Sequence, residues 1–296
     1  MASARVYLLS LGLLCGPCIA TAAAYCRLTT EMPKSTEACS TAGVGLAWQR
    51  SCVSYSLVKR TDPLPLFEAI RDVTDTSFRT WNRVTCGGEP LGLQLGQTEQ
   101  LGQCEVPEYN KSSANANTII FVQDWEEREL PPDAFGLTLV WHNPESGEIY
   151  DADMQINETL GTLAVCRGSC ARGEVDLQNV ITHEAGHFLG LGHSTVSSAT
   201  MASRATVGEV KKRDLDPDDI AGLCAIYRDY AETVCEAEDF TPDRGFSPVC
   251  KPAPQGGDAQ SDGCRVATTS VGRTLPDAML GAGVLLIMWR SRKRRR

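Results

Sequence analysis

The sequence predicts an α+β domain, and three observations predict it. Apolar or alternating runs near 53–58, 117–125, 137–141 and 149–156 have the length and pattern of strands. Other stretches carry apolar residues near 3.6-residue spacing, or helix-capping residues, and read as helices. A hydrophobic content of 42% in 296 residues supplies a core for one or two domains and excludes a disordered acidic chain.

Val53-Ser54-Tyr55-Ser56-Leu57-Val58 alternates as a half-buried strand does, until Pro63-Leu64-Pro65 breaks it. Leu66, Ile70, Val73, Phe78 and Trp81 then mark a helix over about 65–83. Asn117 to Trp125, with Ile119-Ile120-Phe121-Val122 inside it, reads as a buried strand, and Leu137 to Trp141 and Ile149 to Ile156 as two more. Asp176 can cap a helix that Gly190 and Gly192 end. A last helix begins at Asp216, with Pro217 in the first turn and Asp219 where a capping box places its acid; Ile220, Leu223, Cys224 and Tyr227 share one side. Beyond about 231, prolines and Gly256-Gly257 mark an irregular linker.

The two ends carry addresses. Residues 1–24 combine Arg5, the apolar run Val6 to Leu14 and the series Ala20-Thr21-Ala22-Ala23-Ala24, the layout of a signal peptide cleaved after Ala24. An uncleaved anchor is the alternative, but the run is short for a span of about 20 residues. The other end has Gly263-Cys264, an apolar run from Ala278 to Trp289, and a basic block from Arg290 to Arg296. This resembles the C-terminal sorting signals of exported myxobacterial-type proteins; a plain tail anchor with its basic end in the cytoplasm is the alternative. The scheme is therefore a signal peptide at 1–24, a Cys-containing segment at 25–50, the main domain at 51–230, a Pro/Gly-rich linker at 231–262 and a tail at 263–296.

Of 13 cysteines, Cys15 and Cys18 fall in the signal and Cys264 in the tail. The remaining ten can form five disulfides in an oxidising compartment, with Cys166 and Cys170 close enough for a local bridge and the other pairings open. Their spacings lack the paired C-x-x-C units of a cysteine zinc cluster. The net charge of −9 becomes −16 for residues 25–289 once seven terminal cations are set aside. Such a body argues against nucleic acid as a partner and leaves divalent cations and protein substrates open.

Three of the four histidines fall in His183-Glu184-Ala185-Gly186-His187-Phe188-Leu189-Gly190-Leu191-Gly192-His193. Helix positions four apart lie one above the other, so His183 and His187 aim two imidazoles at one spot, with Glu184 on the adjoining face. Zinc accepts such nitrogens and keeps an open position when three protein ligands bind. Gly190 can turn the chain sharply and swing His193 back as the third ligand. Glu184 is then a general base rather than a ligand. A chance H-E-x-x-H is expected in under about one chain in a hundred of this length. His142, alone, reads as structural.

These residues match the metzincin signature H-E-x-x-H-x-x-G-x-x-H followed by a Met-turn, and Met201 in Ala199-Thr200-Met201-Ala202 is similar to that methionine. Within metzincins the chain resembles matrixins through His193-Ser194, the Trp81 helix, Asp218-Asp219-Ile220-Ala221-Gly222-Leu223 and Ile226-Tyr227, over about 51–230. The resemblance implies a twisted mixed sheet, an active-site helix, a small C-terminal subdomain and a methionine lying beneath one catalytic zinc. The chain departs from the pattern after Met201, where Ala202-Ser203-Arg204 replaces the usual Pro and Tyr of the substrate-pocket wall. Cys86-Gly87-Gly88 lies inside the domain, and 25–50 is short for the cysteine-switch propeptide of vertebrate members. Asp151 and Asp153, with Glu158 nearby, offer oxygen ligands for calcium, but ordinary strand-end acids are the favoured reading.

The leading expectation is an exported, monomeric zinc metalloendopeptidase of bacterial type, secreted or held at the cell surface or outer membrane by its tail, and acting on protein or peptide substrates. A surface-anchored binding or adhesive module with an inactive metalloprotease fold is the alternative, and the intact Glu184 speaks against it. A zinc hydrolase of non-peptide substrates is a further rival.

Overall fold

The computed structural model describes residues 24–31, 39–59, 67–230, 233–250, 259–262 and 265–266. After two short strands, β1 (Cys26–Arg27) and β2 (Ala47–Trp48), the alternating run forms β3 (Cys52–Leu57), and α1 (Phe67–Asn82) follows within the range its apolar spacing predicts. A hairpin of β4 (Thr85–Cys86) and β5 (Glu89–Pro90) leads to β6 (Gln94–Gln97), then to β7 (Thr118–Val122), β8 (Gly136–His142) and β9 (Glu148–Asn157). Strands β3, β6, β7 and β9 run parallel and β8 runs antiparallel to β9, giving the mixed sheet expected of the resemblance.

Next come β10 (Thr162–Ala164), β11 (Glu174–Asp176), α2 (Leu177–Phe188) and β12 (Leu191–Gly192), followed by β13 (Arg204–Ala205) and α3 (Pro217–Tyr227). Helices α1 and α2 pack together on one face of the sheet. Ile70, Val73, Phe78 and Trp81 of α1 are buried; the Phe78 ring stacks on Tyr55 of β3 at 3.7 Å, and Trp81 Nε1 donates to Thr182 O at 2.9 Å. The face of β9 that includes Ala152, Met154 and Ile156 completes this core. Truncating a buried aromatic such as Trp81 costs about 3–5 kcal/mol.

The described parts of 25–50, residues 25–31 and 39–50, pair with the main domain. β1 pairs with β12, so Cys26 stands opposite Gly192, and β2 adds in parallel beside β9. Leu28 N also donates to Gly190 O at 2.8 Å, clamping the turn after α2. All ten cysteines counted above pair: Cys26–Cys39, Cys52–Cys235, Cys86–Cys224, Cys104–Cys250 and Cys166–Cys170. Three of these close loops of 183, 138 and 146 residues and tie the late chain to the sheet, restricting the unfolded chain most.

The end of the predicted linker is not irregular. β14 (Ala259–Asp262) pairs antiparallel with β8, and β15 (Arg265–Val266) pairs parallel with β13. Residues 1–23 of the predicted signal peptide and the apolar run 278–289 lie outside the described residues. Among the described residues no helix is long and apolar enough to cross a membrane.

Candidate active site

Helix α2 carries two imidazoles and a carboxylate into the interior, and both its ends are pinned. Asp176 Oδ2 accepts from Asn179 N at 2.9 Å as the N-cap, while Arg213 grips the same carboxylate with Nε and Nη2, each at 2.6 Å. At the other end Phe188 O and Leu189 O accept from Trp48 Nε1 and Tyr227 OH, each at 2.9 Å. Gly190 then turns the chain at φ +87°, where a Cβ would stand 2.7 Å from Leu46 O.

That turn returns His193 to the helix. His187 Nε2 is 3.2 Å from both His183 Nε2 and His193 Nε2, and all three side chains are buried. His183 Nδ1 faces Thr200 O at 2.6 Å and His187 Nδ1 faces Leu191 O at 2.8 Å. A carbonyl only accepts, so each of these Nδ1 atoms carries the proton and each Nε2 presents a lone pair. Tetrahedral nitrogen ligands about 2.05 Å from zinc stand roughly 3.3 Å apart, so the donor set fits that ion. Burial holds His183 well below the usual imidazole range, aided by the Lys212 ammonium, and holds His187 there with help from His193. Both are neutral, the form a metal binds.

Glu184 is fully buried beside them. Its Oε2 accepts from Thr138 Oγ1 of β8 at 2.7 Å, and Gly136 leaves it room, since a Cβ there would stand 3.0 Å from Oε1. Met201 Sδ presses on Gly186 from below, where any side chain would overlap it. Asp219, in the capping box of α3, accepts from Thr200 N at 2.7 Å and Met201 N at 3.0 Å. The carbonyl that orients His183 is thus itself fixed by α3. Sequence reasoning missed two neighbours of the site, Thr138 and the buried Lys212, whose Nζ donates to Ala202 O and lies 3.2 Å from His183 Nδ1.

Residues 47–228 match the family profile of the matrixins. The chain belongs to the matrixin family. It is similar to Metalloendoproteinase 1-MMP of Arabidopsis thaliana, 51% identical over 183 residues that cover 61% of this chain and 44% of the relative. Metalloendoproteinase 2-MMP of the same plant is 28% identical over 166 residues, 55% of this chain and 38% of the relative. Matrix metalloproteinase-19 of Mus musculus is 40% identical over 81 residues, 27% of this chain and 15% of the relative. The chain spans less than half the length of these curated relatives. Matrixins are zinc-dependent metalloproteases, and His183, His187 and His193 form a group in this one that can hold a metal ion.

Other residues singled out from sequence lie elsewhere in the matrixin domain. His142 is buried with Nδ1 3.4 Å from Val140 O, apart from the triad. Cys166, Cys170 and Glu174 cluster, but the sulfurs are joined and offer no thiolate. Asp151 and Asp153 are not strand-end acids: they sit within β9, fully buried, on the face away from Met154 and the helices. Asp153 accepts from Glu108 N at 2.9 Å and from Thr118 N and Oγ1, each at 2.6 Å. Among the described residues, neither oxygen of Asp151 has a hydrogen-bond partner. Burial raises Asp151 well above the carboxylate range, reinforced by the charge of Asp153, and pushes Asp153 up to about 7 against its bonds from Thr118.

Proposed function

We propose that this matrixin is an exported zinc metalloendopeptidase that cleaves peptide bonds in extracellular proteins. The observation that carries the reading is the convergence of three Nε2 atoms beside the buried carboxylate of Glu184. His183, His187 and His193 would hold the ion, which when bound polarises the scissile carbonyl and acidifies water. Glu184 accepts the proton of the attacking water and passes it to the leaving amine. Thr138 Oγ1 holds one oxygen of that carboxylate in place, and Met201 supports the helix beneath the ligands.

The leader at 1–24 would export the chain and the tail at 263–296 would hold it at a bacterial surface, leaving a monomeric catalytic domain outside. On the far face of the sheet, Asp151 is the group through which calcium would bind, since a cation satisfies two buried oxygens that lack a hydrogen-bond partner among the described residues. Asp153 has its oxygens engaged and would contribute charge rather than a vacant ligand position. The test is to purify the chain with and without residues 251–296, measure bound zinc, and compare casein or gelatin cleavage with Glu184→Ala. Zinc in both and cleavage only with Glu184 supports the reading. Equal cleavage by the variant removes the mechanism, and zinc with no cleavage in any form favours the binding-module alternative.

A further inference from the structure

We infer that β14 and β15 lie along the substrate cleft of their own chain and keep the enzyme latent until the tail is cut or drawn away. The inference rests on the protease reading above and adds a regulation to that site. It starts from β8, which without β14 would be the open edge of the sheet. An unpaired edge is a template for an extended chain, and main-chain pairing along such an edge is how an extended peptide is commonly gripped. This edge leads to the chemistry, because at one end of β8 Gly136 leaves room for the Glu184 carboxylate and Thr138 donates to it.

The register of β14 runs toward that end. Ala259 stands opposite Trp141, Gln260 opposite Val140, Ser261 opposite Leu139 and Asp262 opposite Thr138. The chain reappears at β15, with Arg265 opposite Arg204 and Val266 opposite Ala205 of β13. β13 belongs to the segment that runs on past His193 and Met201. It follows Met201 by three residues, and Met201 O accepts from Ser194 N, the neighbour of His193, at 2.8 Å.

Two residues, Gly263 and Cys264 by sequence, join the strands. Three Cα steps of about 3.8 Å allow no more than about 11 Å from Asp262 to Arg265. Asp262, paired opposite the Thr138 that bonds Glu184, and Arg265, paired opposite Arg204 just past Met201, are therefore that close to each other. Protection of a sheet edge would need β14 alone; pairing with β8 and then with β13 in succession is what a bound peptide does.

Strands of four and two residues would bind weakly in trans. Here the segment begins nine residues beyond Cys250, which Cys104 fixes to the domain. A tether of that length gives an effective concentration in the millimolar range, enough to seat a weak strand and low enough to lose it once the tether is cut.

The test uses the full chain with a recognition sequence for a specific endoprotease inserted between Gly256 and Gly257. Initial rates on a quenched fluorogenic peptide pool and amide hydrogen exchange across 137–141 are measured before and after the cut. The expected result is a rate at least tenfold higher after cutting and dilution, with faster exchange at 138–141. A synthetic peptide spanning 257–268 should then raise KM without lowering kcat, and Gln260→Pro with Ser261→Pro should activate the uncut chain. Unchanged rate and exchange after the cut would overturn the inference. So would cleavage of the uncut parent between 262 and 265, because the segment would then be substrate rather than plug. Faster exchange with no cleavage by any form supports the seating of the tail and overturns the protease reading beneath it.

Discussion

On the helix side of the sheet, His183, His187 and Glu184 each have a partner that holds them in place; on the far side, the buried carboxylate of Asp151 has no hydrogen-bond partner among the described residues. His183 and His187 each have Nδ1 against a carbonyl, and Glu184 has Thr138, so the three side chains are aimed before any ion arrives. Asp151 is just as buried and both its oxygens lack a hydrogen-bond partner. An unsatisfied buried carboxylate costs several kcal/mol if it stays charged, so it takes up a proton or a cation. The difference separates a preorganised site from a frustrated one, and it predicts which perturbations each face will feel.

The largest effect should come from His187→Ala. Removing the ligand that bridges the other two in space should reduce bound zinc below a tenth of the parent's and activity by at least about 10³-fold, as measured by metal analysis and peptide cleavage. Asp219→Ala should come next. It strips Thr200 N, Met201 N and Asp216 N of their acceptor, at about 1–3 kcal/mol for each donor left buried, and frees the carbonyl that orients His183. Thermal unfolding should fall by several degrees and zinc should bind more weakly. Unchanged zinc affinity would mean that α3 does not position the ligands.

A smaller effect is expected from Thr138→Val, which keeps the shape and removes the hydroxyl that holds Glu184. It should lower kcat about tenfold with KM and zinc content unchanged, and Thr138→Ser should restore the rate. Equal kcat in all three proteins would show the hydrogen bond to be idle.

The smallest effect belongs to the far face. Asp153 is held at about 7 and Asp151 also lies high, against about 3.9 for an unfolded aspartate. Between about pH 4 and 7 the native chain therefore binds more protons than the unfolded chain, and without a cation stability falls as pH rises through that window. Asp151→Asn should flatten that slope and raise the melting temperature at pH 8 in chelator. Added calcium should stabilise the parent at pH 8 and leave Asp151→Asn unmoved; equal stabilisation of both would place calcium elsewhere.

The helix-side cluster was largely legible in the sequence because its geometry is local. His183 and His187 are one helical turn apart, Gly190 supplies the turn that returns His193, and Asp216-Pro217 with Asp219 spells a capping box that the structure contains. Thr138 was not legible. Its role depends on how β8 docks against α2, and an alternating strand carries no sign of which helix residue its inner face will meet. Asp151 and Asp153 were misread for a related reason: acids in an alternating strand look solvent-facing until Trp141 and the loop at Glu108 cover them. Segments 25–50 and 259–266 contribute strands of two to four residues, too short for periodicity to register. Only tertiary pairing shows that one clamps the turn after α2 and that the other lies against β8 and β13.

The central claim is that three imidazoles hold a zinc ion for chemistry that Glu184 performs. The most direct measurement compares the tail-cut parent with tail-cut Glu184→Gln for zinc content and for kcat on one peptide. The account predicts one zinc per chain in both proteins and a kcat lower by about 10²–10⁴-fold in the variant. Equal kcat, or a parent that cleaves without zinc, would contradict it.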